Sequence, residues 1–434
     1  MPESSRSAQL HARAAAHVPG GVHSNTRYEA PHPTFYARAS GAHLWDVDGE
    51  RYLDYTMGNG AIMLGHSDHE VDDTVAAAVR AGLTTGMETE AAVRVAEQLA
   101  AIIPDFGQVR LANTGTEALL HALRIARHAT GRRRVAKAEG AYHGWSDALW
   151  VSTWPGDHER GPADAPHAPP SSGGLSDEQT LVLPFNDLPA TERLLRAHAG
   201  ELAAVVLEPV LIDIGFVPAT QAYLDGVRAL TAELGVVLVF DELLTGFRLA
   251  PGGARETYGV QPDLTCYGKA LANGYPLAAV EGSRELMELT NPARSGPVGW
   301  VGTYNGHGVA VAAAAATLPR LADGSAQRRL DDLTGRLRDG FAELSQRYGI
   351  VARIAGAGGH FQPYFLDGEV TDYRSAATTN ATRYRLLREV AADEHMVLPG
   401  KPLLHAALST AHTVSDVDRL VEVADKAFAR MDDS

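Results

Sequence analysis

Val236-Val-Leu-Val-Phe240 runs directly into Asp241-Glu-Leu-Leu-Thr-Gly-Phe-Arg248, and a second short apolar run leads into Leu264-Thr-Cys-Tyr-Gly-Lys-Ala-Leu-Ala-Asn-Gly-Tyr-Pro-Leu277. An unbroken apolar run ending at a carboxylate reads as a strand buried on both faces, as in parallel sheets. Leu202 to Leu207 reads the same way, and between the two lies Gln221 to Leu234, with apolar residues at helical spacing. Alternating strands and helices predict an α/β fold with a mainly parallel sheet covered by helices. The carboxyl ends of two strands then deliver Glu208 and Asp241 to the edge where open α/β sheets bind ligands.

Working outward, Lys269 stands inside a glycine-punctuated turn just after a strand, where a lysine suggests an imine-forming amine. Lys269 and Asp241 together are what pyridoxal phosphate requires. The amine holds the aldehyde as an imine, and the carboxylate keeps the pyridine nitrogen protonated so that the ring remains an electron sink. Desolvation and a nearby cation would favour the neutral, nucleophilic amine. Read singly, most lysines are solvated surface groups, and an Asp after a strand often caps a turn.

Leu111-Ala-Asn-Thr-Gly-Thr-Glu117 precedes a helical pattern from Ala118 to Arg127. Gly115 and Thr116 would sit at that helix's N-terminus, where unpaired N–H groups and the dipole favour an anion such as phosphate. An ordinary cap, with Thr114 or Thr116 as N-cap, reads the same way. In Ala138-Glu-Gly-Ala-Tyr-His-Gly-Trp-Ser146, Tyr142 follows a strand from Arg134 to Ala138. An aromatic there can stack on a cofactor ring or simply fill the core.

With these motifs in order, the chain resembles the class III (omega) aminotransferases of fold type I, in the glutamate-1-semialdehyde aminomutase-like branch. The resemblance runs from Pro19-Gly-Gly-Val-His-Ser-Asn-Thr-Arg27 through Trp45-Asp-Val-Asp-Gly49, Leu64-Gly-His66, Asn113 to Glu117, Tyr142-His-Gly144, Glu208-Pro209, Asp241 to Arg248 and Gly268-Lys269, to Gly302-Thr-Tyr-Asn-Gly306. It implies a large domain with a mainly parallel seven-stranded sheet and a small α+β domain built from both termini. The expected division is an N-terminal arm and part of the small domain at 1–60, the cofactor domain at 61–310 and the rest of the small domain at 311–434. It also implies pyridoxal 5'-phosphate as cofactor, Lys269 as the imine lysine, Asp241 on the pyridine nitrogen, and Gly115 with Thr116 on the phosphate. Tyr142 and Leu243 would lie on opposite ring faces, with Leu243 standing where such enzymes usually carry Val or Ile. Glu208 resembles the family's buried glutamate near the phenolic side. Thr303 resembles the threonine that reaches the phosphate in the neighbouring subunit, which implies a homodimer with shared active sites.

The substrate pocket departs from the aminomutase pattern. Gly58-Asn59 replaces a Ser-Trp pair, Leu404 stands where an ungapped alignment has a glutamate, and no clear counterpart of the omega-aminotransferase C-terminal arginine is present, although Lys401 and His405 are nearby. Losing an indole and a carboxylate changes which amino group can be held. By the resemblance Arg27 pairs with a substrate carboxylate, while alone it reads as a solvated arginine in an N-terminal arm. The expectation is an aminotransferase moving an amino group between a carboxylate-bearing amino acid, β- or unusual aromatic, and a keto acid. An aminomutase, a racemase or epimerase, and a non-catalytic binding protein are the other readings, and an intact Lys269, Asp241 and phosphate cradle weigh against the last.

The 434 residues are 45% hydrophobic and 21% charged, which predicts a globular protein of more than one structural unit. The net charge of −15 argues against nucleic acid, and no apolar run is long enough to span a bilayer or form a signal peptide, giving a cytoplasmic expectation. The single cysteine, Cys266, excludes an internal disulfide and reads as a small core residue. Ser152 to Thr180, rich in Pro, Gly and Ser, reads as a disordered loop or, by the resemblance, as a gate over the site.

Overall fold

A computed structural model of the chain describes residues 5–82, 86–166 and 179–432. Seven strands form the central sheet: β1 (Gln108–Ala112), β2 (Arg134–Ala138), β3 (Thr180–Leu183), β4 (Leu202–Leu207), β5 (Val237–Glu242), β6 (Leu264–Tyr267) and β7 (Ala278–Gly282), in the order β1-β7-β6-β5-β4-β2-β3. Only β7 runs antiparallel to its neighbours, so the sheet is mainly parallel, as the apolar runs predict. All six residues of β4 are buried, as two-sided coverage by helices requires.

One boundary differs from the sequence reading. Asp241 is the penultimate residue of β5 and not the first residue beyond it. Two acidic residues can end a buried strand because each is supplied with donors. Successive side chains point to opposite faces, so Asp241 and Glu242 serve different surroundings. Glu242 accepts from Thr245 Oγ1, Ala254 N and Arg255 N at 2.9, 2.6 and 2.8 Å. The helix Gln221–Leu234 has the bounds read from periodicity, and Gly235, at φ +61°, ends it in the left-handed conformation that glycine adopts without steric cost. Residues 167–178 of the segment read as a loop or gate lie outside the described residues.

Chain from both ends builds the remaining layers. Tyr36–Ser40, His43–Asp46 and Arg51–Asp54 form an antiparallel array that Met396–Val397 joins in parallel. Arg353–Ala357, His360–Tyr364 and Ala406–Ala407 form a second antiparallel sheet. One long helix spans Ser325–Tyr348, and the last helix is Val414–Asp432. Leu330, Leu337 and Phe341 on the first pack into a single apolar cluster with Val417, Leu420 and Phe428 on the second. Among the described residues no helix is long and apolar enough to cross a membrane.

Arg248 ties these layers to the sheet. Fully buried, its guanidinium donates to the carbonyls of Gly60, Ile62, Gly358 and Leu408, and burial pushes its pKa down to about 9. Arg248→Met should destabilise the protein by roughly 3–5 kcal/mol, because several buried carbonyls each lose a donor worth about 1–3 kcal/mol. Chemical denaturation measures this, and an unchanged midpoint would mean that these carbonyls find other donors.

Candidate active site

Lys269 opens a short 3-10 turn, Lys269–Ala272, two residues after β6 ends, and its backbone sits at φ +48°. The left-handed region is strained for a residue with a Cβ, at a cost on the order of 1–3 kcal/mol, and such strain persists only where the surroundings fix it. Here Asn273 supplies the fixing contacts. Its side chain accepts from Met63 N and Leu64 N, both at 2.9 Å, and donates to Gly65 O at 3.1 Å. The half-buried Lys269 is thereby tied to the Leu64-Gly-His66 segment.

Asp241 is 3% exposed. Its Oδ2 accepts from Nδ1 of the buried His143 at 2.8 Å, and its Oδ1 accepts from Leu243 N at 3.1 Å. Burial pushes the His143 imidazole below its ordinary pKa, with Asp241 opposing, and its buried Nε2 has no hydrogen-bond partner among the described residues. Leu243 packs where a side chain on Gly268 would come within 2.6 Å of its Cδ2 and where one on Gly115 would collide with it. The two glycines and Leu243 therefore define one narrow apolar wall.

Gly115 is the first residue of the helix Gly115–Thr130, and Thr114, its N-cap, accepts from Glu117 N at 3.2 Å. That bond satisfies one of the helix's four orphan N–H groups and leaves the rest of the first turn to other acceptors. Thr116 is buried, and any side chain on Gly144 would strike its Oγ1. Tyr142 stacks on Trp154 with centroids 5.4 Å apart and planes at 9°, and Trp150 meets it edge-on at 6.1 Å. Both tryptophans lie in the segment between strands, where nothing in their spacing marks them.

Glu208 is 3% exposed and accepts weakly from Ile212 N at 3.4 Å, while its Oε1 has no partner among the described residues. Burial, reinforced by Asp241 and Asp213, holds its carboxyl well above the usual range. A raised folded-state pKa means a stabilising contribution present at acid pH and lost as pH rises through the folded value. The cofactor-free Glu208→Gln protein should therefore gain on wild type between pH 5 and pH 8 in thermal melts. A difference independent of pH would mean that Glu208 ionises normally.

The elements thus bring Lys269, Asp241, Glu208, Leu243, Gly115, Thr116 and Tyr142 around one edge of the sheet. Arg27 lies on an exposed 3-10 turn, Asn25–Arg27, where its side chain makes no hydrogen bond or ion pair among the described residues. Asn59 is exposed at φ +56°, and Thr303 is exposed beside Val301 and Tyr304, which are 90% and 59% exposed. The residue reading missed His143 as the partner of Asp241, although Tyr142-His-Gly144 was in view. It also missed Asp213, five positions after Glu208, for which the sequence carries no signal.

The residues present fit a phosphorylated pyridine aldehyde: a lysine, a buried acid, a small-residue helix start and an apolar wall. The fold and this edge of the sheet define a fold type I pyridoxal phosphate enzyme. The chain belongs to the class III aminotransferases, whose family model matches residues 24–375. It is 38% identical over 437 residues to a glutamate-1-semialdehyde 2,1-aminomutase of Chloroflexus aggregans, covering 98% of each chain. An omega-transaminase from Sphaerobacter thermophilus superposes with a TM-score of 0.91 at 35% identity, covering 98% of both chains. A β-phenylalanine aminotransferase from Variovorax paradoxus gives 0.85 at 30% identity, covering 97% of this chain and 93% of that one.

Proposed function

We propose that this class III enzyme moves an amino group between a carboxylate-bearing amino acid, of the β- or aromatic type, and a keto acid. The observation that carries the reading is that Leu243, whose N–H bonds Asp241, fills the space beside Gly115 and beside Gly268, the residue before Lys269. Bound pyridoxal phosphate supplies the electron sink that allows the bond to hydrogen at the amino-bearing carbon to break. Lys269 Nζ would hold the cofactor's aldehyde and, when free, would act as the base that moves a proton at the donor carbon. Asp241, its carboxylate oriented by His143, would keep a proton on the pyridine nitrogen. Gly115 and Thr116 would hold the phosphate, Tyr142 and Leu243 would flank the ring, and Glu208 would serve its phenolic oxygen. Arg27 pairs with the substrate carboxylate, and Asn59 widens the pocket beside it. Thr303, on an exposed apolar stretch, completes the phosphate site of a second copy in a homodimer. Light scattering tests that assembly, and a monomer would remove Thr303 from the site.

The similarity to a β-phenylalanine aminotransferase supports the substrate class, and the open Gly58-Asn59 corner is compatible with it. The aminomutase name carried by the curated relatives favours a second reading, intramolecular amino transfer in one substrate. Adding single amino acids to the holoenzyme without a keto acid separates the two. Stoichiometric loss of the lysine-bound cofactor's visible band, one equivalent of keto product and recovery with a keto acid establish transamination. Continued turnover with the band retained means mutase or racemase chemistry.

A further inference from the structure

Lys137, in β2, is fully buried. Its ammonium donates to Ala141 O at 2.6 Å, Val151 O at 2.8 Å and Leu149 O at 3.0 Å, and a further contact to Thr153 Oγ1 is 3.2 Å. An ammonium carries three protons, so the three carbonyls use all of them. The Thr153 hydroxyl turns back to two of the same oxygens, 3.3 Å from Ala141 O and 3.4 Å from Leu149 O. Burial pushes the lysine's pKa down to about 7, with Glu208 opposing. Methionine or leucine would fill this space without the cost of desolvating a cation, so what the ammonium bonds is the reason for its presence.

Each of its partners is the sequence neighbour of an aromatic ring. Ala141 precedes Tyr142, Leu149 and Val151 flank Trp150, and Thr153 precedes Trp154. The three rings form one cluster, because Trp150 meets Trp154 edge-on at 6.3 Å as well as Tyr142. His143, next to Tyr142, reaches Asp241. Regular structure contributes little to this stretch, whose one helix, Asp147–Trp150, is a single turn. Gly140 N donates to Ser152 O at 2.9 Å and closes its base. Trp154 is held from outside, since its Nε1 donates at 3.2 Å to the carbonyl of Asp213, whose carboxylate lies 3.0 Å from His405 Nδ1.

Resting on the reading of Tyr142 as a ring-face residue and Asp241 as the acid on the pyridine nitrogen, we infer that Lys137 is the positioning residue of this wall. Its ammonium gathers the chain around Tyr142, Trp150 and Trp154, so that Tyr142 faces the cofactor and His143 meets Asp241. Lys137 acts through the main chain and touches none of the reacting atoms. The Ala141 carbonyl shares a planar peptide unit with Tyr142 N, and the Leu149 carbonyl shares one with Trp150 N. Fixing those two oxygens therefore fixes the planes from which two of the rings depart. One point donor does this for several carbonyls at once, which an apolar side chain of the same volume cannot do.

The test is the affinity of the cofactor-free protein for pyridoxal 5'-phosphate, followed by tryptophan quenching, with visible circular dichroism of the loaded protein as a second readout. Lys137→Met keeps the volume and removes the donors. It should bind the cofactor about tenfold more weakly, the size of one lost hydrogen bond to a charged group, and lose most of the visible dichroism per bound cofactor. In a Tyr142→Ala background the same substitution should cost less than about twofold, because coupled residues are non-additive. Unchanged affinity and dichroism in Lys137→Met overturn the proposal. An equal loss in both Tyr142 backgrounds also overturns it, being what a lysine serving only the fold would give. Should the methionine variant not fold, the same cycle is run with Lys137→Gln, whose amide retains two donors, and the same outcomes decide. Failure of the underlying reading looks different, because Tyr142→Ala alone would then bind the cofactor as wild type does, and the proposal would fall with it.

Discussion

Lys269→Ala will fold, bind pyridoxal phosphate more loosely and lose at least about 10³-fold in turnover, because the group that both holds the aldehyde and moves the proton is gone. Lys269→Arg will not recover activity. A guanidinium keeps its proton at neutral pH and so serves neither as nucleophile nor as base. Both variants should lack the lysine-bound visible band, and a small primary amine added to the alanine variant should restore part of the rate by acting as a detached base. Circular dichroism distinguishes this from misfolding, which is not expected because alanine at φ +48° carries the same backbone strain as lysine. Retention of band and activity in Lys269→Ala would remove the central assignment.

Asp241→Asn will lower kcat by about 10²–10³-fold, the usual size for losing a preorganised charged partner of the reacting group. The amide oxygen can still accept from Leu243 N, and its NH2 can donate to His143 Nδ1 once that ring carries its proton on Nε2, so the local structure should survive. What disappears is the negative charge that keeps the pyridine nitrogen protonated. The expected signature is a near-normal cofactor band with slow proton removal, measured with a donor deuterated at its amino-bearing carbon as an enlarged isotope effect. A kcat within about threefold of wild type would place the partner of that nitrogen elsewhere.

Much of the fold was legible because its signals are local. Leu202 to Leu207, Gln221 to Leu234 and Arg134 to Ala138 have in the structure the bounds their patterns suggest, since strands buried on both faces and one-sided helices carry strong periodicities. The end of β5 was not legible. An acidic pair there looks like the start of a turn until the donors on Thr245, Ala254, Arg255 and His143 are known, and all but Thr245 come from other segments. Trp154 and Asp213 were hidden for the same reason, because each gains meaning only from the ring or charge it faces across the site.

The chain's own order of residues determined the alternating α/β plan, the lysine at the turn after one strand, the acid at the end of another and the glycine at a helix start. These follow from backbone periodicity and from where strands and helices end. Tertiary structure alone decided the strained φ of Lys269, the His143 orientation of Asp241, the elevated carboxyl of Glu208 and the Asp213–His405 pair. Each of those depends on burial and on charges contributed by residues distant in the sequence, and electrostatic interactions are set by distance and desolvation in space, which residue order does not encode locally.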